Sequence, residues 1–219
     1  MKKKESGSGR LTAAARRAQL IEVGRAVFAE LGYEGTAVEE IAARAKVSKP
    51  IVYEHFGGKE GLYAVIVDRE VEHILARILE AVSSGSARER LELAALAFLT
   101  YVKERPDGFA VLLRDAPIAR RSAQMPALLY DLADRISGIF AAQLKKAGYD
   151  AKAAPIYSHA LVGMVAFVGQ WWTDASKPPP AEVVASHIAA LAWMGLRHLP
   201  RQPAPVVKSR SSEPIAKKS

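Results

Sequence analysis

Apolar residues recur at helical spacing along most of the chain, and the positions where that spacing breaks divide it into segments. Leu20, Ile21, Val23, Ala26, Val27 and Leu31 line one face of a first helix of about five turns that stops at Gly32. Thr36-Ala37-Val38-Glu39 has the form of a capping box, in which a Thr hydroxyl and a Glu carboxylate reciprocally satisfy free amides at a helix start. It predicts a short second helix to about Ala45. Lys46-Val47 then reads as a tight turn and Ser48 as the cap of a third helix, with Pro50 in its first turn and an end near Phe56-Gly57-Gly58. Leu62, Val65, Ile66, Ile74, Leu75, Ile78 and Leu79 mark a long helix from Lys59 to about Val82, broken by Ser83-Ser84-Gly85-Ser86.

Further helices are expected over 87–104, 107–114, 127–147, 153–175 and 181–199, with breaks at Pro106, Pro117, Gly148 and Pro178-Pro179-Pro180. No useful length shows period-2 alternation, so the fold class is all-α: an amino-terminal three-helix unit followed by a larger helical bundle. The pattern divides the chain into a basic flexible tail at 1–11, a helix-turn-helix domain at 12–58, a bundle at 59–199 and a basic disordered tail from 200 to 219.

Composition narrows the chemistry. With 219 residues and half of them hydrophobic, the chain has ample material for a core. It has no cysteine, which removes disulfides, zinc fingers and thiolate chemistry and suits a reducing cytoplasm. The charged amino terminus runs into Ser-Gly-Ser-Gly rather than an apolar signal core, and the apolar run over 160–172 is interrupted by Gln170 and falls short of the ~20 residues that span a bilayer. A soluble, cytoplasmic protein with no membrane partner is expected. The net charge of +8 is placed at the ends: residues 1–17 and 197–219 each hold six Lys or Arg against one Glu, which leaves the body slightly acidic. Basic composition therefore does not by itself argue for nucleic acid.

The spacing of the second and third helices does, because two short helices joined by a tight turn can set a helix end in the DNA major groove. The run Phe28-Ala29-Glu30-Leu31-Gly32-Tyr33-Glu34-Gly35-Thr36, then Ile41-Ala42-Ala43-Arg44-Ala45, then Val47 through Lys59 with its Tyr53-Glu54-His55-Phe56 core, resembles the DNA-binding domain of the TetR family over about residues 12–62. The resemblance implies a homodimer that binds double-stranded DNA at a pseudo-palindromic operator and answers to a small effector held in the carboxy-terminal bundle, most relatives acting as repressors. Within that frame Thr36, Tyr53, His55 and Lys59 are expected to touch phosphates, since their side chains all donate to phosphate oxygens. Ser48, Lys49, Pro50 and Ile51 are expected at the bases: Lys49 toward guanine acceptors, Pro50 or Ile51 toward a thymine methyl. The chain departs from the family at the turn, where relatives place Gly and Lys46 stands here; either the turn differs or Lys46 makes a compensating phosphate contact. Ser48 that only caps and Tyr53 that only packs are the alternatives.

The bundle contains Phe98, Tyr101, Phe109, Tyr130, Phe140, Tyr157, Phe167, Trp171 and Trp172. Taken singly these are ordinary core residues; by the resemblance, Phe98, Tyr101, Phe109, Phe140, Tyr157, Phe167 and Trp171 are the candidate lining of a cavity for an apolar effector. Residues 168–180 resemble relatives that sense fatty acyl compounds. Small residues Ala160, Gly163, Ala166 and Gly169 on one helix and Ala185, Ile188, Ala189, Ala192 and Gly195 on the next could let these two helices form the dimer interface. His73, His159, His187 and His198 are scattered without a carboxylate at any metal or catalytic spacing, and no phosphate loop is present, so no enzyme, metal or cofactor is expected. Two rivals stand beside this reading: a protein that coats nucleic acid without sequence preference through its basic tails, and a carrier of apolar ligands with no DNA role.

Overall fold

The computed structural model describes the backbone of residues 11–114 and 125–200 and the side chains of residues 11–113 and 132–200. The expected tails beyond those limits, the break at Pro117 and the side chain of Tyr130 lie outside the described residues. Within them every regular element is helical. The elements are α1 (Ala13–Gly35), α2 (Val38–Arg44), α3 (Lys49–Phe56), α4 (Lys59–Ala81), α5 (Ala87–Glu104), α6 (Pro106–Arg114), α7 (Met125–Lys146), α8 (Ala154–Asp174), preceded by a 3₁₀ turn at Ala151–Ala153, and α9 (Ala181–Arg197).

Local chemistry sets most of the ends. The Thr12 hydroxyl accepts the Ala15 amide at 3.2 Å and starts α1. Gly32 interrupts it with φ 72° and ψ 168°, so the regular helix stops where the apolar pattern stops. A capping box does occur, but at α5: the Ser86 hydroxyl accepts from the Glu89 amide and the Glu89 carboxylate from the Ser86 amide. The one expected at α2 is absent. Ala37 occupies the cap position without a side-chain bond, while the Thr36 hydroxyl turns back to donate to the Gly32 carbonyl at 2.7 Å. The kink takes that carbonyl out of the helical ladder, and Thr36, only 3% exposed, supplies its donor.

Two hydrophobic cores share α4. Leu20, Val27, Phe28, Ile41 and Val52 from α1–α3 pack with Leu62 and Ile66 of α4 in the head, whereas Val71 and Ile74, further along α4, pack with α5, α6, α8 and α9 in the body. The head core thus extends about two turns past the boundary drawn at residue 58. Helix α6 lies between the cores: Val111 is fully buried in the head core, and Phe109 and Leu112 are buried in the body core. Trp172 is core as well, its indole N–H donating to the Pro179 carbonyl at 2.8 Å and tying the end of α8 to the proline loop.

Of the residues expected at a dimer interface, Ala160, Gly163 and Gly195 are exposed and the others are used within the body. Ala185, Ile188, Ala189 and Ala192 are buried within the body, where α9 lies along α5, and Ala166 and Gly169 are buried under α5 and α6; a Cβ on Gly169 would come within 2.6 Å of the Phe98 ring. Large apolar side chains are exposed on the same two helices: Ile156, Phe167 (79%) and Trp171 (54%) on α8, and Val183, Leu191 (68%) and Met194 on α9. The apolar run judged too short to span a bilayer belongs to a 21-residue helix that, with the 3₁₀ turn before it, is long and apolar enough by length and composition.

Candidate nucleic-acid interface and ligand cavity

The head presents the amino end of α3. Arg17 of α1 donates to the His55 carbonyl at 2.8 Å with its guanidinium 4.3 Å from the Phe56 ring centre, and Gln19 donates to the Ala45 carbonyl at 3.2 Å, so α1 fixes the turn between α2 and α3 and the carboxy end of α3. Ser48 stands at the cap position of α3, yet its hydroxyl makes no cap bond. The reason is Pro50, which has no amide at the second helical position, together with the Ile51 amide, which donates to the Ser48 carbonyl at 3.0 Å. The hydroxyl is left on the surface with Lys46, Lys49, Pro50 and Tyr53, all exposed.

Lys46 adopts φ 55°, the only non-glycine residue with positive φ among those described. The turn therefore keeps the left-handed geometry that the resemblance assigns to glycine, and the lysine bears its strain. Lys49 pairs with Glu39 of α2 and lies 5.8 Å from the Tyr53 ring centre. Their hydrogen bond is the largest cause of both shifts, holding the Glu39 carboxyl below its ordinary range and Lys49 above its own.

Other expected contacts are turned inward. Besides the buried Thr36, Lys59 donates from Nζ to the Tyr33 and Thr36 carbonyls, each at 3.0 Å, with Nζ 4.3 Å from the Tyr33 ring centre. Its ammonium clamps the α1–α2 connection to the start of α4. Ile51 is half-buried against the head core, as is the His55 side chain at the head surface, its ring 6.1 Å from that of Phe56.

The body holds a cavity of about 280 Å³ between α4, α5, α7, α8 and α9. Its wall is mainly aliphatic, including Ile78, Leu79, Leu91, Leu132, Ile136, Leu161, Val165 and Ile188, with Phe98 and Phe140 from the expected aromatic set. A second hollow of about 170 Å³ shares Ala87, Leu91, Phe140 and Gln143 with it and continues toward Tyr149 and Trp193. Tyr101 and Phe109 do not line the cavity because both are buried in the core beside it; Tyr157 is not among the described lining residues, though its ring centre is 6.4 Å from that of Phe140; Phe167 and Trp171 face outward. A helical wheel identifies a bulky apolar residue but not which of two buried directions it faces.

Between cavity and head lies a polar node. Glu70 of α4 is 2% exposed. Its carboxylate accepts Arg105 Nε at 2.9 Å and Nη2 at 2.5 Å, the Tyr101 hydroxyl at 3.0 Å and Arg25 Nη1 at 3.3 Å. Burial would raise its pKa, but Arg105, Tyr101 and Arg25 together outweigh that and hold it below the usual carboxylate range. Burial and the neighbouring carboxylate push the Tyr101 phenol far above its ordinary value. Gly108 of α6 completes the node, since a Cβ there would stand 2.3 Å from Glu70 Oε2. One signal was available: Glu70 falls at i+4 from Ile66 and i−4 from Ile74, on the buried stripe of α4.

A helix-turn-helix head joined through a shared helix to a bundle with an apolar cavity defines a one-chain regulator that reads DNA and senses a ligand. Residues 20–66 match the model of bacterial regulatory proteins of the tetR family, and residues 87–195 match a tetracyclin repressor-like C-terminal domain. The chain belongs to the TetR family, and it is a ligand-responsive DNA-binding regulator of transcription. It is 26% identical over 188 residues to the HTH-type transcriptional activator FasR of Mycolicibacterium smegmatis, covering 84% of each chain. It is 30% identical over 116 residues to the HTH-type transcriptional repressor KstR2 of Mycobacterium tuberculosis, covering 52% of this chain and 56% of that one. A TetR-like transcriptional regulator from Rhodococcus sp. RHA1 superposes with a TM-score of 0.70 at 28% identity, covering 87% of this chain and all of the other. Activators and repressors both occur among the relatives.

Proposed function

We propose that the protein works as a homodimer on a pseudo-palindromic operator and that an apolar effector in the α4–α9 cavity, with fatty acyl compounds the class put first, changes the separation of its two heads. Ser48, Lys49 and Pro50 read base edges, Ile51 adding an apolar edge, while Lys46, Tyr53 and His55 contact phosphates. Thr36 and Lys59 hold the head together instead. The two-fold axis passes through the exposed faces of α8 and α9, where Phe167, Trp171, Leu191 and Met194 give an apolar surface that a second copy would cover. That surface also accounts for the apolar character of α8 without a membrane.

One observation carries the coupling: Val111 of α6 is buried in the head core while its neighbours Phe109 and Leu112 are buried in the body core. A ligand that moves the body against α6 and α4 moves the head as well. Whether the outcome is repression or activation follows from where the operator lies relative to the promoter. The test begins with selection of bound duplexes from a random pool and light scattering of the complex. A two-fold site with half-sites about 34 Å or more apart and two chains per site are expected. Operator affinity is then titrated with apolar compounds. Coupling is reciprocal, so an effector that weakens operator binding tenfold must itself be weakened tenfold by saturating operator, about 1.4 kcal/mol in each direction. A monomer on DNA, or a tightly bound ligand with no reciprocal effect, would refute the proposal.

A further inference from the structure

Arg90 is out of place in the cavity wall. Of the described lining residues it alone carries a charge, and Gln143 is the only other polar side chain. Its Nε is buried and has no hydrogen-bond partner. Its neighbours at i±3 and i±4 on α5 are Ser86, Ala87, Leu93 and Ala94, so the helix offers no acid, and Glu89 is occupied by the α5 cap. A buried guanidinium N–H without an acceptor is costly and uncommon in a folded protein, and here it borders an apolar space.

We propose that Arg90 is the anchor for an anionic head group, and that the effector is a single-chain amphiphile whose carboxylate lies on Arg90 while its hydrocarbon tail runs inward toward Phe98. The inference rests on the effector cavity proposed above and names what it takes. The geometry fits the class. Arg90 and Phe98 are eight residues apart on α5, about 12 Å along its axis, with Leu91, Ala94 and Ala95 lining the path between them. The guanidinium presents Nε–H and an adjacent Nη–H as a fork that matches the two oxygens of a carboxylate, and the other described wall residues include no anion to repel one. Gln143, shared by both hollows, can donate a further hydrogen bond.

Calorimetric titration of the full chain with dodecanoate, methyl dodecanoate, dodecan-1-ol and dodecyltrimethylammonium, each kept below its micelle concentration, tests this. Dodecanoate should bind about tenfold or more tightly than the ester or the alcohol, and the cation should not bind. Extending the acid from octanoate to dodecanoate should tighten binding roughly fourfold per methylene as the tail fills the cavity. Arg90→Gln should abolish the preference for the acid while keeping affinity for the ester, Arg90→Lys should retain part of it, and Arg88→Gln, at an exposed position, should leave it unchanged. Equal binding of acid, ester and alcohol to the unmodified protein would overturn the anion anchor and leave the apolar cavity standing. So would an Arg90→Gln protein that still prefers the acid, or binding of the cation. Binding of none of the four would overturn both the anchor and the effector cavity beneath it.

Discussion

Replacing Glu70 by Gln should loosen the joint between head and body, because one side chain there holds partners from both. The carboxylate has four donors within hydrogen-bond distance: Arg25 from the head, and Tyr101 and two nitrogens of Arg105 from the body. The amide keeps the volume but offers one acceptor oxygen and turns an NH₂ toward a guanidinium. A hydrogen bond to a charged group contributes about 1.5–3 kcal/mol, and breaking a buried pair costs about 3–5 kcal/mol. The Arg25 and Arg105 side chains remain 15% and 29% exposed, so water recovers part of that loss and a net destabilisation of about 2–4 kcal/mol is expected. Urea unfolding at neutral pH measures it. The sign with pH follows from the lowered Glu70 pKa. The unfolded chain takes up the proton first, so this contribution is complete above the ordinary carboxylate value and is lost as pH falls through the depressed folded value. Glu70→Gln should therefore flatten part of the acid slope. Gly108→Ala attacks the same node, its new Cβ falling 2.3 Å from Glu70 Oε2, and the double variant should be clearly less destabilised than the sum of the single ones. A loss below about 0.5 kcal/mol for Glu70→Gln, or strict additivity with Gly108→Ala, would refute the node as a shared energetic unit.

Three further outcomes are expected. Lys46→Gly should stabilise the protein by about 0.5–1 kcal/mol in thermal or urea unfolding, since relief of the left-handed strain exceeds the entropy glycine adds to the unfolded chain, and should weaken DNA binding if Lys46 touches a phosphate. Glu39→Gln should tighten operator binding by about two- to fivefold at low salt in fluorescence anisotropy, and less at high salt, because it frees Lys49 and removes a negative charge beside the DNA. Phe167→Glu should raise the dimer dissociation constant by about thirtyfold or more in analytical ultracentrifugation without lowering helix content, since the ring is exposed in the single chain.

Helix boundaries and the DNA-binding head were legible in the sequence because the forces that set them are local. Gly32, Ser86, Pro106 and Pro180 end or start helices through their own backbone geometry or caps, and a 3.6-residue apolar period reports which face is buried. The turn at Lys46 likewise kept its left-handed form, since a tight α2–α3 connection demands it whichever residue stands there. What a side chain does once it faces inward was beyond the sequence. Thr36 had a capping pattern, but the Gly32 carbonyl exposed by the kink was a nearer acceptor than the α2 amides. Lys59 had the position of a phosphate contact, yet two carbonyls brought close by the fold of the α1–α2 connection captured its ammonium. Seven aromatics were candidates for one cavity, and packing divided them among cavity wall, solid core and an outward face, a division made by residues far apart in sequence, as where Gly169 of α8 lies against the Phe98 ring of α5. The polar groups were hidden most completely. Glu70 and Arg90 look like any charged residue on a surface helix until tertiary structure brings Arg25, Tyr101 and Arg105 onto the one and buries Nε of the other, without an acceptor, beside an apolar cavity.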